Sequence, residues 1–312
     1  MSQAIRMSPD GRGDGSAALR SLLNDLNTSA GALAALAAAL EARATARPLA
    51  PNLAVAVNGV LDALGVREAS EQLPPVELRA TLAEIQVYGA SYRQLAAPEP
   101  AASGWTPASA ALIQAAGDVS AGLPRVLERL VVPRLAGLSE RLRAPGGRFL
   151  DVGAGAGALS IQMARTWPDL AIVGIEPWAP ALELARANVR AAGLDARIEL
   201  RASSGERLAD EGRYDLGWIP SLFIAEPLLD AVIERVRRAL RPGAWLLVPV
   251  LRAEAAALAA NVVRLRAALW GGSAPSLGEA AARLAAAGFV DLQSFSSAPS
   301  STTGLLAAQK PG

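Results

Sequence analysis

The spacing of hydrophobic and polar positions changes near residue 145. From Ala17 to about Arg143, apolar residues recur at helical intervals and no convincing strand is present. After that point, short apolar runs alternate with helical segments. The runs are RFLDV, LAIVGIE, RIELRA, YDLGWI, AWLLVPV, VDLQSFSS and GLLAAQK. This alternation predicts an α/β fold, a Rossmann-like, seven-stranded, mostly parallel sheet with helices on both faces. If the last two strands form a hairpin-like pair, one strand is predicted to run antiparallel at the edge of the sheet.

The N-terminal half is predicted to be an all-helical domain. Thr28 and Ser29 are predicted to cap the helix GALAALAAALEARA, which Pro48 and Pro51 would end. Further helices are predicted over about 53–64, after Pro74-Pro75, over about 108–116, and over about 123–143 with a bend near Pro133. The domains follow as a disordered tail over 1–15, a helical cap or dimerisation domain over 16–120, and a ligand-binding α/β domain over 121–312.

Composition excludes several classes of protein. With 30 basic against 29 acidic residues, the chain lacks the positive field that non-specific nucleic-acid binding requires. Neither a span of about 20 apolar residues nor an apolar signal core is present, which favours a cytoplasmic protein without a membrane partner. Cysteine and histidine are both absent. Thiolate nucleophiles, Cys-based metal sites and histidine bases are therefore excluded, and no metal site is predicted.

The segment FLDVGAGAGALS carries the strongest functional signal. A strand delivers Asp151, and Gly153, Gly155 and Gly157, with Ala154 between the first two, then form a turn before a helix. Such a turn lets a ligand approach the backbone and the helix N-terminus. The alternative is a tight turn that only packs a helix on a strand. Because the Asp151 carboxylate would repel a pyrophosphate but suits a cation, the pattern favours S-adenosylmethionine (SAM), which carries a sulfonium and an amino group.

A second carboxylate follows at the spacing of a βαβ unit. Glu176 ends the apolar run LAIVGIE, 19 residues after Gly157. At the tip of a second strand it can accept hydrogen bonds from both hydroxyls of a ribose. The alternative is an ordinary exposed carboxylate before Pro177. The two features at this spacing carry more information together than either one alone.

The ordered set of motifs resembles the class I SAM-dependent methyltransferases, small-molecule type with a helical N-terminal domain. The set comprises FLDVGAGAGALS, PDLAIVGIEPWAPALELARANVRAAGL, YDLGWIPSLF, RRALRPGAWLLVPV and AAARLAAAGFVDLQSF, and it covers about residues 148–310. The resemblance implies that Asp151 and the backbone of Gly153 and Gly155 hold the methionine part of SAM. It also implies that Glu176 holds the ribose and that S-adenosylhomocysteine is the spent cofactor.

The resemblance also implies an adenine site. Pro177 and Trp178 would flank the adenine. The segment RASSGERL, with Ser203 and Ser204, resembles the family segment after the third strand, where an Asp commonly meets the adenine amino group. Ser204 stands at that position here, so the contact would be made by a hydroxyl.

Acceptor-side residues are fewer in the sequence. By resemblance, Trp218 and Ile219 would lie beside the sulfonium and the acceptor. Many small-molecule relatives add a His base, which this chain lacks. Either the acceptor arrives ionised, or a carboxylate or Tyr takes the proton, and Glu226 is the candidate. The alternative for Glu226 is a helix start, where its charge complements the helix dipole.

The N-terminal helices are predicted to cover the acceptor side of the sheet. Tyr88, Tyr92 and Trp105 are notable in a chain with 4% aromatic residues, and with Phe223 they are candidates for binding an apolar acceptor. The alternative for these aromatic residues is plain helix packing. The Ala- and Leu-rich helices can instead form a homodimer interface.

The sequence therefore predicts transfer of a methyl group from SAM to oxygen, nitrogen or carbon of a small, apolar metabolite, as in small-molecule biosynthesis. One alternative is a protein of the same fold that binds SAM without transferring methyl, as a scaffold or a cyclisation or rearrangement enzyme. The other is a nicotinamide-dependent oxidoreductase. That class prefers G-x-G-x-x-G, whereas this chain has G-x-G-x-G with Asp151 ahead of it.

Overall fold

The structure is a computed structural model that describes residues 15–97, 104, 109–296, 298 and 301–312. The predicted disordered tail lies outside the described residues, except Gly15, which begins a helix. Trp105 also lies outside them. The chain divides into two compact units, Met1–Leu78 and Arg79–Gly312.

The first unit consists of helices. They are α1 (Gly15–Thr45), α2 (Pro51–Leu64) and α3 (Arg67–Gln72), followed by the start of α4 (Pro75–Leu95). The predicted cap at Thr28 and Ser29 is wrong, because α1 runs through both residues. Their hydroxyls donate to the carbonyl oxygens of Asn24 and Asp25, each at 2.9 Å. A hydroxyl bonded one turn back no longer caps a helix. The leucine-containing sequence before Thr28 and the alanine-rich sequence after Ser29 both favour a continuous helix.

The second unit begins with more helical segments. These are the rest of α4, α5 (Ala110–Val119), α6 (Leu123–Val126) and α7 (Leu138–Arg143). The single bent helix predicted over about 123–143 is wrong. After α6, a π-helical turn (Leu127–Val131) is followed by a 3₁₀ turn (Val132–Arg134). Leu135 is then extended, and Gly137 has a φ of +70°. Pro133 has no backbone N–H to donate, which prevents the α-helical ladder from continuing there.

A seven-stranded sheet forms the centre of the second unit. Its strands are β1 (Arg148–Val152), β2 (Ala171–Ile175), β3 (Ile198–Arg201), β4 (Tyr214–Trp218), β5 (Leu240–Leu251), β6 (Val290–Phe295) and β7 (Thr303–Gln309). The strand order is β3-β2-β1-β4-β5-β7-β6. Strand β7 runs antiparallel to β5 and β6, between which it lies, and β6 forms the edge of the sheet. The predicted fold class is confirmed.

Helices cover both faces of this sheet. They are α8 (Ala158–Thr166), α9 (Ala179–Ala191), α10 (Glu226–Ala239), α11 (Ala257–Leu269) and α12 (Leu277–Ala286). One core cluster joins the sheet to α10 and α12, and a second joins it to α7 and α8. Helix α10 shows why: Leu229, Val232, Ile233 and Val236 recur at helical spacing and are all buried. Because β1 pairs in parallel with both β2 and β4, the carboxyl ends of these three strands lie at the same edge of the sheet.

Two sequence predictions concern organisation and location. Helix α5 packs on α8 and α9, so the compact units divide at Leu78–Arg79. The functional division after residue 120 stays a prediction. In the part of the chain that the structure describes, no helix combines the length and the apolar character needed to cross a bilayer. The cytoplasmic location also stays a prediction.

Candidate functional site

The glycine turn between β1 and α8 holds its three glycines at positive φ. Gly153, Gly155 and Gly157 have φ values of +66°, +55° and +79°. A Cβ at Gly153 would lie 3.2 Å from Cγ of Pro220, and one at Gly157 would lie 3.3 Å from Cβ of Ala185. These two glycines are thus needed for packing as well as for conformation.

Gly155 differs from the other two glycines. A Cβ built on Gly155 would meet nothing nearer than the Gly153 carbonyl oxygen at 4.0 Å, so it would project into open space. The Gly155 N–H is held by the Glu176 carboxylate at 2.9 Å. Packing therefore does not explain this glycine. Its left-handed φ favours glycine, and the open space beside it leaves room for a ligand to approach the backbone.

Asp151 lies at the base of this turn. It is 1% exposed, and its carboxylate accepts a hydrogen bond from the Ser160 hydroxyl at 2.6 Å. Burial raises the pKa of Asp151 to about 7; the Ser160 hydrogen bonds oppose this rise, and the negative charge of Glu176 adds to it. A carboxyl held this way gains most when a cation arrives, because a positive charge stabilises its ionised form.

Glu176 shapes the backbone around it. One carboxylate oxygen accepts from the N–H of Gly155 and the other from the N–H of Trp178, both at 2.9 Å. Burial raises the pKa of Glu176, and these two backbone hydrogen bonds oppose the rise. Because each carboxylate oxygen can accept more than one hydrogen bond, Glu176 retains acceptor capacity for two hydroxyl groups.

The predicted adenine segments follow β2 and β3. Pro177 is exposed and Trp178 half-buried, immediately before α9. Ser204 is half-buried, and its hydroxyl donates to Glu206 at 2.6 Å. The hydroxyl of Ser203 donates to the Ser204 carbonyl oxygen at 3.3 Å. The structure brings these side chains to the carboxyl edge of β2 and β3, and their adenine contacts stay a prediction.

The end of β4 brings a third element to the site. Trp218 is the register partner of Asp151 across β1 and β4, and it is half-buried. Pro220 then lies against Gly153, since a Cβ added to Gly153 would be 3.2 Å from Cγ of Pro220. Ile219, between them, is 0% exposed and lies in the core cluster on the α10 side. The structure thus places Trp218 and Pro220 beside the glycine turn and places Ile219 behind it.

An aromatic cluster follows β4. The rings of Phe223 and Trp270 are stacked, with centroids 4.8 Å apart and planes 3° apart. Tyr88 of α4 lies on the same Trp270 at 6.1 Å, and the Trp270 indole donates to the Ser91 hydroxyl at 2.9 Å. Two predicted acceptor residues, Tyr88 and Phe223, therefore meet on Trp270, which the sequence analysis did not single out.

Gly272, two residues after Trp270, holds this segment against the loop that follows β4. A Cβ at Gly272 would lie 1.9 Å from the Leu222 carbonyl oxygen, so only glycine permits this approach. The Ser273 N–H donates to the Ser221 carbonyl oxygen at 3.0 Å. The segment 270–273 is thereby attached along the loop that follows β4.

Arg266 lies over Tyr88. Its guanidinium carbon is 3.6 Å from the ring centroid, and it donates to the Tyr92 hydroxyl at 3.5 Å. Burial and the neighbouring Glu84 raise the pKa of Tyr88 above its ordinary value, partly offset by Arg266. Tyr88 therefore stays protonated at neutral pH and is a poor proton acceptor. Tyr92 is 37% exposed, at the outer side of the same cluster.

Glu226, the candidate base, starts α10. Its carboxylate forms an ion pair with Arg283 of α12, which also bonds Asp230. The Glu226 side chain is 55% exposed. This position fits a helix start at the surface. Its role as a base stays a prediction.

Several residues of the site carry signals that the sequence analysis did not use. Ser160 is a polar residue on the buried side of α8, and Trp270 precedes two glycines. Asn188 has no such signal, because its partners Gln114 and Ala156 lie 74 and 32 residues away in the chain.

The arrangement fits SAM in its donor chemistry. A buried carboxyl suits the cationic end, a two-oxygen acceptor suits a ribose, and open space above Gly155 admits the ligand to the backbone. Among the described residues, no group of three or more Asp, Glu, His or Cys side chains is placed to hold a metal ion.

Comparisons with known proteins agree with this geometry. Residues 149–243 match a family model described as a methyltransferase domain. Over 144 residues the chain is 32% identical to a ubiquinone biosynthesis O-methyltransferase of Xanthomonas euvesicatoria pv. vesicatoria (strain 85-10). This match covers 46% of this chain and 59% of the relative, so the chain spans about three fifths of the length of that curated relative.

Solved structures extend the likeness to nearly the whole chain. An O-methyltransferase family protein from Burkholderia thailandensis has a TM-score of 0.64 at 16% identity, covering 93% of this chain and 97% of the other. Human N-acetylserotonin methyltransferase in complex with SAM has a TM-score of 0.61 at 15% identity, covering 98% and 100%. At such identities the likeness establishes the fold. Residues 149–243 thus match the methyltransferase domain family, and the sheet and its helices have the class I SAM-dependent methyltransferase fold.

Proposed function

We propose that the protein transfers a methyl group from SAM to an oxygen atom of a small, apolar metabolite, as in small-molecule biosynthesis. The observation that carries the proposal is the pairing of Asp151 and Glu176 on either side of a glycine turn whose Gly155 faces open space. The match to a methyltransferase domain and the similarity to relatives named O-methyltransferases support the reaction type.

SAM when bound supplies a methyl group that is already activated by its sulfonium, so the protein's task is to orient the reactants and exclude water. Asp151 binds the cationic end through its ionised carboxylate. Glu176 holds the Gly155 N–H, and its remaining acceptor capacity would serve the ribose hydroxyls. Trp218 and Pro220 close the site beside the glycine turn.

The acceptor is proposed to arrive ionised. The site's two buried carboxyls are occupied: Asp151 accepts from Ser160, and Glu176 accepts from two backbone N–H groups. Glu226 is paired with Arg283 at the surface, and Tyr88 stays protonated. These positions favour an acidic hydroxyl, such as a phenol, which loses its proton to water before transfer.

Incubation with methyl-deuterated SAM and a panel of phenolic and aliphatic alcohols tests the proposal by mass spectrometry. A product that gains one labelled methyl group, from phenols and not from aliphatic alcohols, is expected. Tight SAM binding by calorimetry with no labelled product from any acceptor class would favour the non-transferring alternative. Absence of SAM binding would contradict the cofactor assignment itself.

We also propose that the protein forms a homodimer through α1. In this dimer the apolar stripe of α1 packs against the same stripe of a second copy. Leu19, Leu23 and Leu26 are 66%, 62% and 56% exposed. Contiguous exposed apolar stripes of this kind usually mark interaction surfaces. The leucine positions 19, 22, 23 and 26 are symmetric about the point between Leu22 and Leu23, which suits an antiparallel pair related by a two-fold axis.

Charges support this antiparallel pairing. With the axis between Leu22 and Leu23, Leu19 of one copy faces Leu26 of the other, and Arg20 faces Asp25. Opposite charges at facing positions favour this register over its competitors.

Sedimentation velocity of charge-swap variants tests the pairing. Arg20→Asp and Asp25→Arg are each expected to weaken the dimer, and the double swap is expected to restore it. Leu23→Glu should yield a monomer, whereas Leu258→Glu, at a leucine of α11 that is 76% exposed, is the matched control. A monomeric parent protein, or a Leu23→Glu dimer, would overturn this proposal.

A further inference from the structure

Helix α5 contacts the glycine turn and the neighbouring α9 at three points. Ile113 packs in one cluster with Ala156 of the glycine turn, and Trp178 packs against that cluster. A Cβ on Gly117 would lie 2.8 Å from Cβ of Ala156, so the helix backbone lies directly on the turn. The third contact is polar, and it runs through Asn188 of α9.

The Asn188 amide joins α5 to the turn. Its Nδ2 donates to the Ala156 carbonyl oxygen at 2.9 Å and to Oε1 of Gln114 at 2.7 Å. The Gln114 Nε2 in turn donates to the Asp118 carboxylate at 2.9 Å. Four groups on α5, α9 and the glycine turn thus form one hydrogen-bonded chain.

The direction of every bond in this chain is determined by its ends. The Ala156 carbonyl can only accept, so Asn188 must present its N–H₂ group, and Gln114 must then present its oxygen to Asn188. The Gln114 N–H₂ group is left for Asp118, whose ionised carboxylate also only accepts. The half-buried amides therefore have a single consistent arrangement, which orders α5 and the turn together.

The Ala156 peptide lies between two fixed points. On one side the Gly155 N–H is held by Glu176, and on the other the Gly157 N–H donates to the Ala154 carbonyl oxygen at 2.8 Å. The bond from Asn188 fixes the Ala156 carbonyl between these two points. A turn that is already ordered needs less ordering when a ligand binds, which strengthens binding without any direct contact.

We propose that Asn188 and Gln114 are positioning residues that pre-order the glycine turn for the cofactor by attaching it to α5. This inference rests on the proposed function, since the ligand of the turn is taken to be SAM. Asn188 acts through Ala156 and not on the reacting atoms. Its loss should therefore weaken SAM binding and raise KM for SAM, while kcat at saturating SAM changes little.

The experiment compares Asn188→Leu, Asn188→Asp and Gln114→Leu with the parent protein by calorimetry with SAM. Asn188→Leu and Asn188→Asp are expected to weaken binding about five- to twentyfold, the loss expected for one or two hydrogen bonds. Gln114→Leu is expected to be somewhat milder. The double variant Gln114→Leu/Asn188→Leu should bind within about twofold of Asn188→Leu, because both changes break one network. Asn261→Leu, at an exposed asparagine of α11, is the matched control.

A second measurement does not depend on ligand or activity. In the ligand-free protein, hydrogen exchange at Gly155 and Gly157 should be faster in Asn188→Asp than in the parent, while exchange in β5 is unchanged. Asn188→Asp keeps the side-chain shape, so this comparison remains available if Asn188→Leu folds poorly.

The outcomes separate the two proposals. If the parent protein binds SAM and Asn188→Asp binds equally tightly with unchanged exchange at the turn, the positioning role is overturned and the proposed function stands. A fall in kcat with an unchanged KM for SAM would also overturn it. If the parent protein does not bind SAM, the proposed function fails, and the inference built on it fails with it.

Discussion

The hydroxyl of Ser160 donates to the carboxylate of Asp151 at 2.6 Å, in a position where Asp151 is 1% exposed. Burial nevertheless raises the pKa of Asp151 to about 7. The hydrogen bond from Ser160 therefore recovers only part of what the carboxylate loses on leaving water. Without a cation, this carboxyl is a source of instability in its ionised form, and that instability is relieved by the ligand.

Replacing Asp151→Asn should separate stability from binding. The amide keeps the shape of the carboxyl but has no charge to bury, so the ligand-free variant should melt several degrees higher than the parent at pH 8. Its affinity for SAM should fall by roughly tenfold or more, because a charge-assisted interaction is lost. Thermal melts with and without SAM check both effects. A variant that binds SAM as tightly as the parent would contradict the role of Asp151.

The pH dependence follows from the same raised pKa. Between the ordinary Asp pKa of about 4 and the folded value, the folded protein holds a proton that the unfolded chain has already lost. The contribution of Asp151 to stability in the ligand-free protein should therefore decrease as pH rises from about 4 through 7. SAM affinity should increase over the upper part of this window. Calorimetry between pH 6 and 8 checks the direction, and Asp151→Asn should flatten the profile.

Glu176→Gln should disrupt the glycine turn more than its small size suggests. Glu176 accepts from the N–H groups of Gly155 and Trp178, and an amide has one acceptor oxygen in place of two. One backbone N–H would then face a donor. We expect SAM affinity to fall by roughly tenfold or more, since an unsatisfied group and a ribose acceptor are lost together. Glu206→Gln, whose carboxylate is bonded by Ser204, is the control for the neighbouring segment.

Gly155→Ala isolates contact with the ligand from backbone strain. Gly155 and Gly212 both have positive φ, and a Cβ would meet little or nothing near either one. Both alanine variants should lose about 1–2 kcal/mol of stability from the left-handed conformation. Only Gly155→Ala should also lose SAM binding, because its Cβ would occupy the space proposed for the ligand. Chemical denaturation and calorimetry measure the two quantities separately.

Glu226→Gln tests the candidate base directly. Because Glu226 is paired with Arg283 at the surface, kcat should stay within about twofold of the parent, whereas loss of a general base typically costs about 100-fold or more. Asp230→Asn removes the other partner of Arg283 and serves as the control. A hundredfold loss in Glu226→Gln alone would restore it as the base and contradict the proposal of a pre-ionised acceptor.

The sheet and the glycine turn could be predicted from the sequence because their signals are local. Apolar runs of strand length and glycines at fixed offsets place Asp151 and Glu176 without knowledge of distant contacts. The start of α1 could not be predicted from Thr28 and Ser29, since a hydroxyl can cap a helix or bond within one. The outcome depended on helix-forming sequence on both sides, rich in leucine before these residues and in alanine after them.

Long-range partnerships were invisible for a different reason. Asn188 and Gln114 are 74 residues apart, and Trp270 and Ser91 are 179 apart. An isolated amide or tryptophan in a helix has the same local pattern whether it packs, binds or faces solvent. Such partners are fixed by the way helices cross, which no short window of sequence records.

Gly272 constrains the redesign of the aromatic cluster that is predicted to bind the acceptor. A side chain at this position would overlap the Leu222 carbonyl oxygen, so any library aimed at new acceptors must leave Gly272 untouched. The stacked rings of Phe223 and Trp270 lie on the two segments that meet at Gly272. Changing one ring removes the stacking partner of the other. Redesign would therefore proceed by varying the two rings together.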